Sequence, residues 1–155
     1  MKNYKIYCDL DGVLVDFNKG YHQLTGIDIS GKYCTGETFW QPIKKAGYDF
    51  WVNLTWTKDG KKLWNYILQY TPELLSAPSN ENDSRIGKHD WVNKELPGFH
   101  LILRSPENKK EFASPNSILI DDHISNIEDW IKSGGIGIHH ISADNTISQL
   151  KQLFL

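Results

Sequence analysis

Apolar residues along the chain fall into short runs, each ended by acids, proline or glycine. Residues 4–10 read as a strand that stops where Asp9 and Asp11 begin, and Gly12 permits a sharp turn there. Residues 73–77 form a second strand, ended by Pro78, and residues 80–84 a polar loop. A helix over 88–96 ends at Pro97-Gly98, and residues 99–103 form a third strand. Residues 109–113 give a short helical turn and residues 117–120 a fourth strand that runs into Asp121-Asp122. A helix over 125–133 stops at Gly134-Gly135, residues 136–140 form a fifth strand, and a helix over 145–154 closes, with Asp144 or Asn145 as its cap.

Residues 17–70 break this rhythm. Most of the aromatic side chains lie here, glycines cut the stretch into short pieces, and Leu63, Trp64, Ile67 and Leu68 recur at helical spacing. This segment reads as a small helical cap inserted after the first strand, with residues 1–16 and 71–155 as the core. Strands alternating with helices predict an α/β fold, a doubly wound, Rossmann-like parallel sheet with right-handed crossovers. Ligands in such folds gather at the carboxyl ends of the strands. Asp9, Asp11, Ser76, Arg104, Asp121 and Asp122 all fall at or just after such ends, so residues distant in sequence are expected on one edge.

Charge narrows the partners. Seventeen basic residues face nineteen acidic ones, a formal net charge of -2, which argues against a nucleic-acid polymer as partner but leaves room for one small phosphorylated molecule. Cys8 and Cys34 make no disulfide framework, so a reducing cytoplasm is the simpler expectation. The first residues look like neither a leader nor a membrane span, and no other run is long enough to cross a bilayer. The sequence leaves a homodimer open.

Four carboxylates on one rim repel unless a cation or a proton intervenes, which points to a hard divalent metal held by oxygen. Asp9, Asp11, Asp121 and Asp122 are the candidate ligands and Mg²⁺ the expected ion. Mg²⁺ takes one or two carboxylates with water and phosphate, which leaves one aspartate free to attack and another to move protons. A calcium loop fails, because Val13, Leu14 and Val15 stand where further acids belong.

The segment DLDGVLVDF, Ser76 after the second strand, a lysine before the fourth, and ILIDD occur in the order that resembles the haloacid-dehalogenase-like phosphohydrolase superfamily. The resemblance implies Asp9 as a phosphate-accepting nucleophile and Asp11 as the general acid/base. Ser76 and Lys110, or Lys109 in its place, would hold the phosphoryl oxygens. FWVNLTWTKDGKKLWNYI, LLSAPS, KHDWVNKEL and ILIDD together look like the 5′(3′)-deoxyribonucleotidase family and its bacterial and phage relatives. That implies a nucleoside monophosphate substrate beneath an aromatic cap. Phe17, Phe39 and Trp40 are the candidate base contacts, with most other cap aromatics serving as core. His123 stands where that family more often has arginine.

Two further cations are candidates for phosphate. Lys88 begins a predicted helix, where the dipole disfavours a cation unless an anion binds, although a solvated surface lysine is the plainer alternative. Arg104 ends a strand and can clamp phosphate with two parallel bonds, or pair with an acid. The rivals to a nucleotidase are a sugar phosphatase, a nucleic-acid 3′-phosphatase and a non-catalytic phosphate-binding relative. A signalling receiver domain is a fourth, although there the acid pair ends the first strand and the phosphoacceptor comes later.

Overall fold

The computed structural model describes residues 4–154. Strands β1 (Lys5–Cys8), β2 (Glu73–Ser76), β3 (Leu101–Leu103), β4 (Ser117–Asp121) and β5 (Ile136–His139) form an all-parallel sheet in the order β3-β2-β1-β4-β5. Successive side chains on a strand point to opposite faces. Ile6, Cys8, Leu74, Ile118 and Ile120 accordingly enter one apolar layer, while Tyr7, Leu75, Ile102 and Leu119 enter the other. Burial on both faces is why each strand reads as an unbroken apolar run.

Helices cover both layers. Between β1 and β2 lie α1 (Phe17–Thr25), α2 (Glu37–Ala46), α3 (Tyr48–Val52) and α4 (Gly60–Ile67). Helix α5 (Asn82–Glu95) joins β2 to β3, α6 (Ile124–Lys132) joins β4 to β5, and α7 (Ala143–Phe154) closes the described chain. Leu63, Trp64 and Ile67 of α4, Trp91 and Val92 of α5, and Leu150 of α7 pack in the first layer. Ile127 and Trp130 of α6 pack in the second. This is the α/β, doubly wound arrangement that the apolar pattern predicts. No helix among the described residues is long and apolar enough to cross a membrane.

Several boundaries differ from the sequence reading, each for a local reason. Strand β1 ends at Cys8 rather than at residue 10, because the Leu10 carbonyl accepts from the amides of Val13, Leu14 and Val15 at 2.9 to 3.1 Å and curls the chain. Helix α5 starts at Asn82, so the expected loop over 80–84 is largely helix. Its first turns bury Ser84, Gly87 and Lys88 instead of apolar residues, which hides the helical period. Lys88 therefore lies in the second turn, not at the helix start, and the dipole argument for it falls away. Helix α7 begins at Ala143, before both expected caps. Ser142 Oγ accepts from the Asn145 amide at 3.2 Å, and Asp59 Oδ2 takes the Ala143 amide at 2.6 Å.

The helices after β1 leave and rejoin the core at one clamped point. Asp16 N donates to Thr55 O, Thr57 N to Leu14 O and Thr57 Oγ1 to Val13 O, each at 2.8 Å. Helix α4 follows this clamp, packs against α7 and carries the crossover to β2.

Candidate active site

Chain connections turn in opposite directions from β1 and from β4, so a crevice opens at the carboxyl ends of these two neighbours. Their register pairs Cys8 with Ile120, and Asp9 N donates to Ile120 O at 2.9 Å. Asp9 is thereby set beside Asp121, and both are buried. Two carboxylates so placed need a cation. Lys109 supplies one: its Nζ lies 3.1 Å from Asp9 Oδ1 and 2.7 Å from Asp121 Oδ2. A 3₁₀ helix over Pro106–Phe112 carries this lysine inward, leaving only 2% of it exposed.

Lys110, the expected phosphate ligand, points to solvent. In a tight helical turn consecutive side chains diverge, and only one of two adjacent lysines can enter the site. Arg104 is also corrected. It donates to the Leu103 carbonyl, pairs with Glu111 at 3.7 Å, lies over the Phe112 ring and stands outside the cleft.

Asp121 is held further by Asn126 Nδ2 at 3.0 Å and by the His123 amide at 2.8 Å. The neighbouring Asp122 carbonyl accepts from His139 Nε2 at 2.9 Å, while Asp122 Oδ1 is buried without a hydrogen-bond partner. Gly12 makes room for this carboxylate. Its φ is +81°, and a Cβ there would stand 2.0 Å from Asp122 Oδ2. Oxygens of Asp9, Asp121 and Asp122 come within 4.8 Å of one another. Asp11, the fourth expected metal ligand, stands outside this group of oxygens, with its Oδ2 accepting from Lys88 Nζ.

The electrostatics of this cluster favour a cation. Burial lifts the Asp9 carboxyl to about 8; Lys109 opposes the rise, and Asp121, Asp122 and Asp11 add to it. Burial also lifts Asp122 to about 7, with Asp121 and Asp11 reinforcing. Burial lowers Lys109, but Asp9 and Asp121 more than offset this and hold it charged. One lysine does not neutralise three carboxylates, and the unpartnered Asp122 Oδ1 is a ready ligand for a hard ion.

A second group forms one strand away. Lys88 Nζ lies 2.5 Å from Asp11 Oδ2 and 3.1 Å from Ser76 Oγ, with only 3% of the lysine exposed. It is thus neither a helix-start lysine nor a solvated one. Above both groups is a cleft of about 350 Å³ lined by Asp9, Asp11, Ser76 and Lys109 on the sheet side. Phe17, Phe39 and Trp40 line its other wall with Tyr33 and Trp51. Phe39 and Trp40 pack edge to face at 4.9 Å, and Phe17 stands 6.3 Å from each. A larger hollow of about 540 Å³ adjoins between α2 and the loop after β2, but it holds none of the clustered carboxylates or their two lysines.

Of the residues singled out in the sequence, Asp9, Asp11, Ser76, Phe17, Phe39 and Trp40 line this cleft, and Asp121 and Asp122 stand beside Asp9. Trp51 and Asn126 line it too and were not singled out. Asn126 carried one signal, an amide on the apolar face of α6.

No protein-family model matches the sequence, and no curated protein does. Solved structures do resemble it. A haloacid dehalogenase-like family hydrolase from Xanthomonas campestris aligns over 98% of this chain and 92% of its own, with a TM-score of 0.63 at 9% identity. A HAD-superfamily hydrolase from Ehrlichia chaffeensis aligns over the full length of both chains, with a TM-score of 0.56 at 13% identity. A HAD family hydrolase from Deinococcus radiodurans R1, solved with bound phosphate and sodium, covers 88% of this chain and 80% of its own, with a TM-score of 0.51 at 12% identity. At such identities the likeness is one of architecture: the chain has the fold of the haloacid-dehalogenase-like hydrolases.

Proposed function

We propose that the protein is a Mg²⁺-dependent phosphatase acting on nucleoside monophosphates, deoxyribonucleotides foremost, through a phosphorylated Asp9. The carrying observation is Asp9 at the switch point, paired with Lys109 and flanked by Asp121 and Asp122. The phosphate and sodium held by the Deinococcus radiodurans hydrolase are the two ligand classes this site would take.

In the first step a carboxylate oxygen of Asp9 attacks phosphorus and the bond to the leaving oxygen breaks. Asp11, at the cleft wall, gives that oxygen its proton. Water then attacks the phosphorus of the acyl phosphate, Asp11 takes back a proton, and the bond between phosphorus and Asp9 breaks to release phosphate. Ser76 Oγ and the Lys109 amine, both on the cleft wall, supply the donors for the phosphoryl oxygens, while Lys88, spent on Asp11 and Ser76, holds those two groups in place. Asp9, Asp121 and Asp122 fit a hard divalent ion, which when bound neutralises phosphoryl charge and orients the group for in-line attack. The segment 17–70 acts as the cap. Phe17, Phe39 and Trp40 offer ring faces to the base.

The test is phosphate release from 5′- and 3′-(deoxy)nucleotides and sugar phosphates, with Mg²⁺ or chelator, beside Asp9→Asn. Mg²⁺-dependent turnover of deoxynucleotides that vanishes in the variant is expected. Turnover of sugar phosphates alone would keep the mechanism and refute the substrate. Turnover that survives in Asp9→Asn would refute the phospho-aspartate.

A further inference from the structure

Lys88 is a buried ammonium whose surroundings come from three elements. Asp11 follows β1, Ser76 ends β2, and the third neighbour is Trp51 of α3, whose ring centroid lies 5.1 Å from Lys88 Nζ. Trp51 is itself 3% exposed. An ammonium stripped of water is costly unless every side of it is satisfied. Asp11 and Ser76 satisfy one side through hydrogen bonds. The face of an indole, with its negative quadrupole, satisfies the other and excludes water.

The backbone shows why the indole sits there. Helix α3 lies directly on α5, and Gly87, the residue before Lys88, sits tight against Trp51. A Cβ at Gly87 would stand 2.4 Å from Trp51 Cβ. Tyr48, at the start of α3, adds a second tie by donating its hydroxyl to Asp90 Oδ2 at 2.8 Å. Glycine costs helix stability in mid-helix, so its presence here is explained by this close packing.

We infer that Trp51 is a positioning residue. Through its ring it holds Lys88 on Asp11 and Ser76, so the helical insertion builds part of the catalytic machinery as well as covering it. Without the indole, water reaches the ammonium, the lysine gains rotamers, and Asp11 loses the partner that fixes its carboxylate. Asp9, Asp121 and Lys109 are untouched, because none of them contacts Trp51 through a hydrogen bond or ion pair. This inference rests on the proposed phosphatase reaction for its catalytic consequence, but the positioning itself is independent of that reaction.

The experiment compares wild type with Trp51→Leu, Trp51→Phe and Gly87→Ala. The first readout is the rate at which an amine-selective reagent labels Lys88, measured by peptide mass spectrometry, with buried Lys109 as internal control. In Trp51→Leu, Lys88 labelling is expected to accelerate by about tenfold, the scale of a desolvated cation–π contact, with Lys109 unchanged. Trp51→Phe, which keeps a ring face, should restore most of the protection. Gly87→Ala should lose it, because its Cβ displaces α3. The second readout is turnover: kcat falls in Trp51→Leu more than KM rises, and Trp51→Phe recovers it. Unchanged Lys88 labelling in Trp51→Leu overturns the inference. Equal acceleration of Lys109 overturns it as well, by showing general loosening. Selective labelling of Lys88 in a protein that turns over no phosphomonoester would uphold the positioning and refute the phosphatase reading.

Discussion

At the scale of single residues, two neighbouring lysines separate position from proximity in sequence. Lys109 bridges Asp9 and Asp121, whereas Lys110 faces solvent. Lys109→Met is expected to lower kcat by about 10²–10³-fold, the usual cost of one preorganised donor, while Lys110→Met leaves turnover unchanged in the same phosphate-release assay. The sequence marks both lysines and cannot choose, because the choice depends on the phase of one 3₁₀ turn. Gly12 makes a different point. Gly12→Ala forces a side chain into a left-handed backbone, at about 1–2 kcal/mol, and drives its Cβ into Asp122. Titration calorimetry should show Mg²⁺ affinity falling in Gly12→Ala, and an unchanged isotherm would refute Asp122 as a ligand. The four aspartates were legible because acids at the ends of apolar runs are conspicuous. Trp51 was not, because an indole in an aromatic-rich segment reads as core until the ammonium beside it is seen.

At the scale of elements, the places of the strands were readable, but the ends of β1 and β3 and the edges of the helices were not. Both faces of the sheet are apolar, so β2, β4 and β5 stand out as runs ended by proline, acids or histidine. Helix α5 was cut short because Ser84, Gly87 and Lys88 occupy its buried face, where small size and one ion pair replace apolar packing. The same rule, that polar contacts leave no periodic trace, hides the clamp between the ends of the segment that joins β1 to β2. Thr57 Oγ1 donates there to the Val13 carbonyl at 2.8 Å, between the chain leaving β1 and the chain entering α4. Thr57→Val keeps the shape and removes that bond, leaving the carbonyl short of a donor. A loss of about 1 kcal/mol is expected by denaturant unfolding. Faster hydrogen exchange should appear at the Asp16 and Thr57 amides, whose bonds share the clamp, and not in β4. Uniform acceleration across the sheet would mean that the clamp is not a separate unit.

At the scale of the whole molecule, the acidic cluster links stability to pH and to metal. Burial raises Asp9 to about 8 and Asp122 to about 7, whereas aspartates of an unfolded chain titrate near ~4. Between those limits the folded chain holds protons that the unfolded chain has released, so stability without metal falls as pH rises through the window. His140 gives the opposite slope at lower pH. Its ring is pushed below the usual histidine range by burial, and its Nδ1 faces Thr146 Oγ1 at 2.8 Å. It folds neutral, and its contribution is lost when acid protonates it. Metal binding needs the carboxylates ionised, so Mg²⁺ held by this cluster would stabilise the fold more as pH rises. Thermal melts in chelator should therefore show Tm falling from about pH 6 to about pH 8, and added Mg²⁺ should reduce or reverse that fall. In Asp122→Asn the buried repulsion is relieved: Tm in chelator should rise at the alkaline end and the response to Mg²⁺ should shrink. A Tm that ignores Mg²⁺ at alkaline pH would mean that the cluster stores protons rather than a cation, and the hydrolytic reading would lose the charge neutralisation it requires.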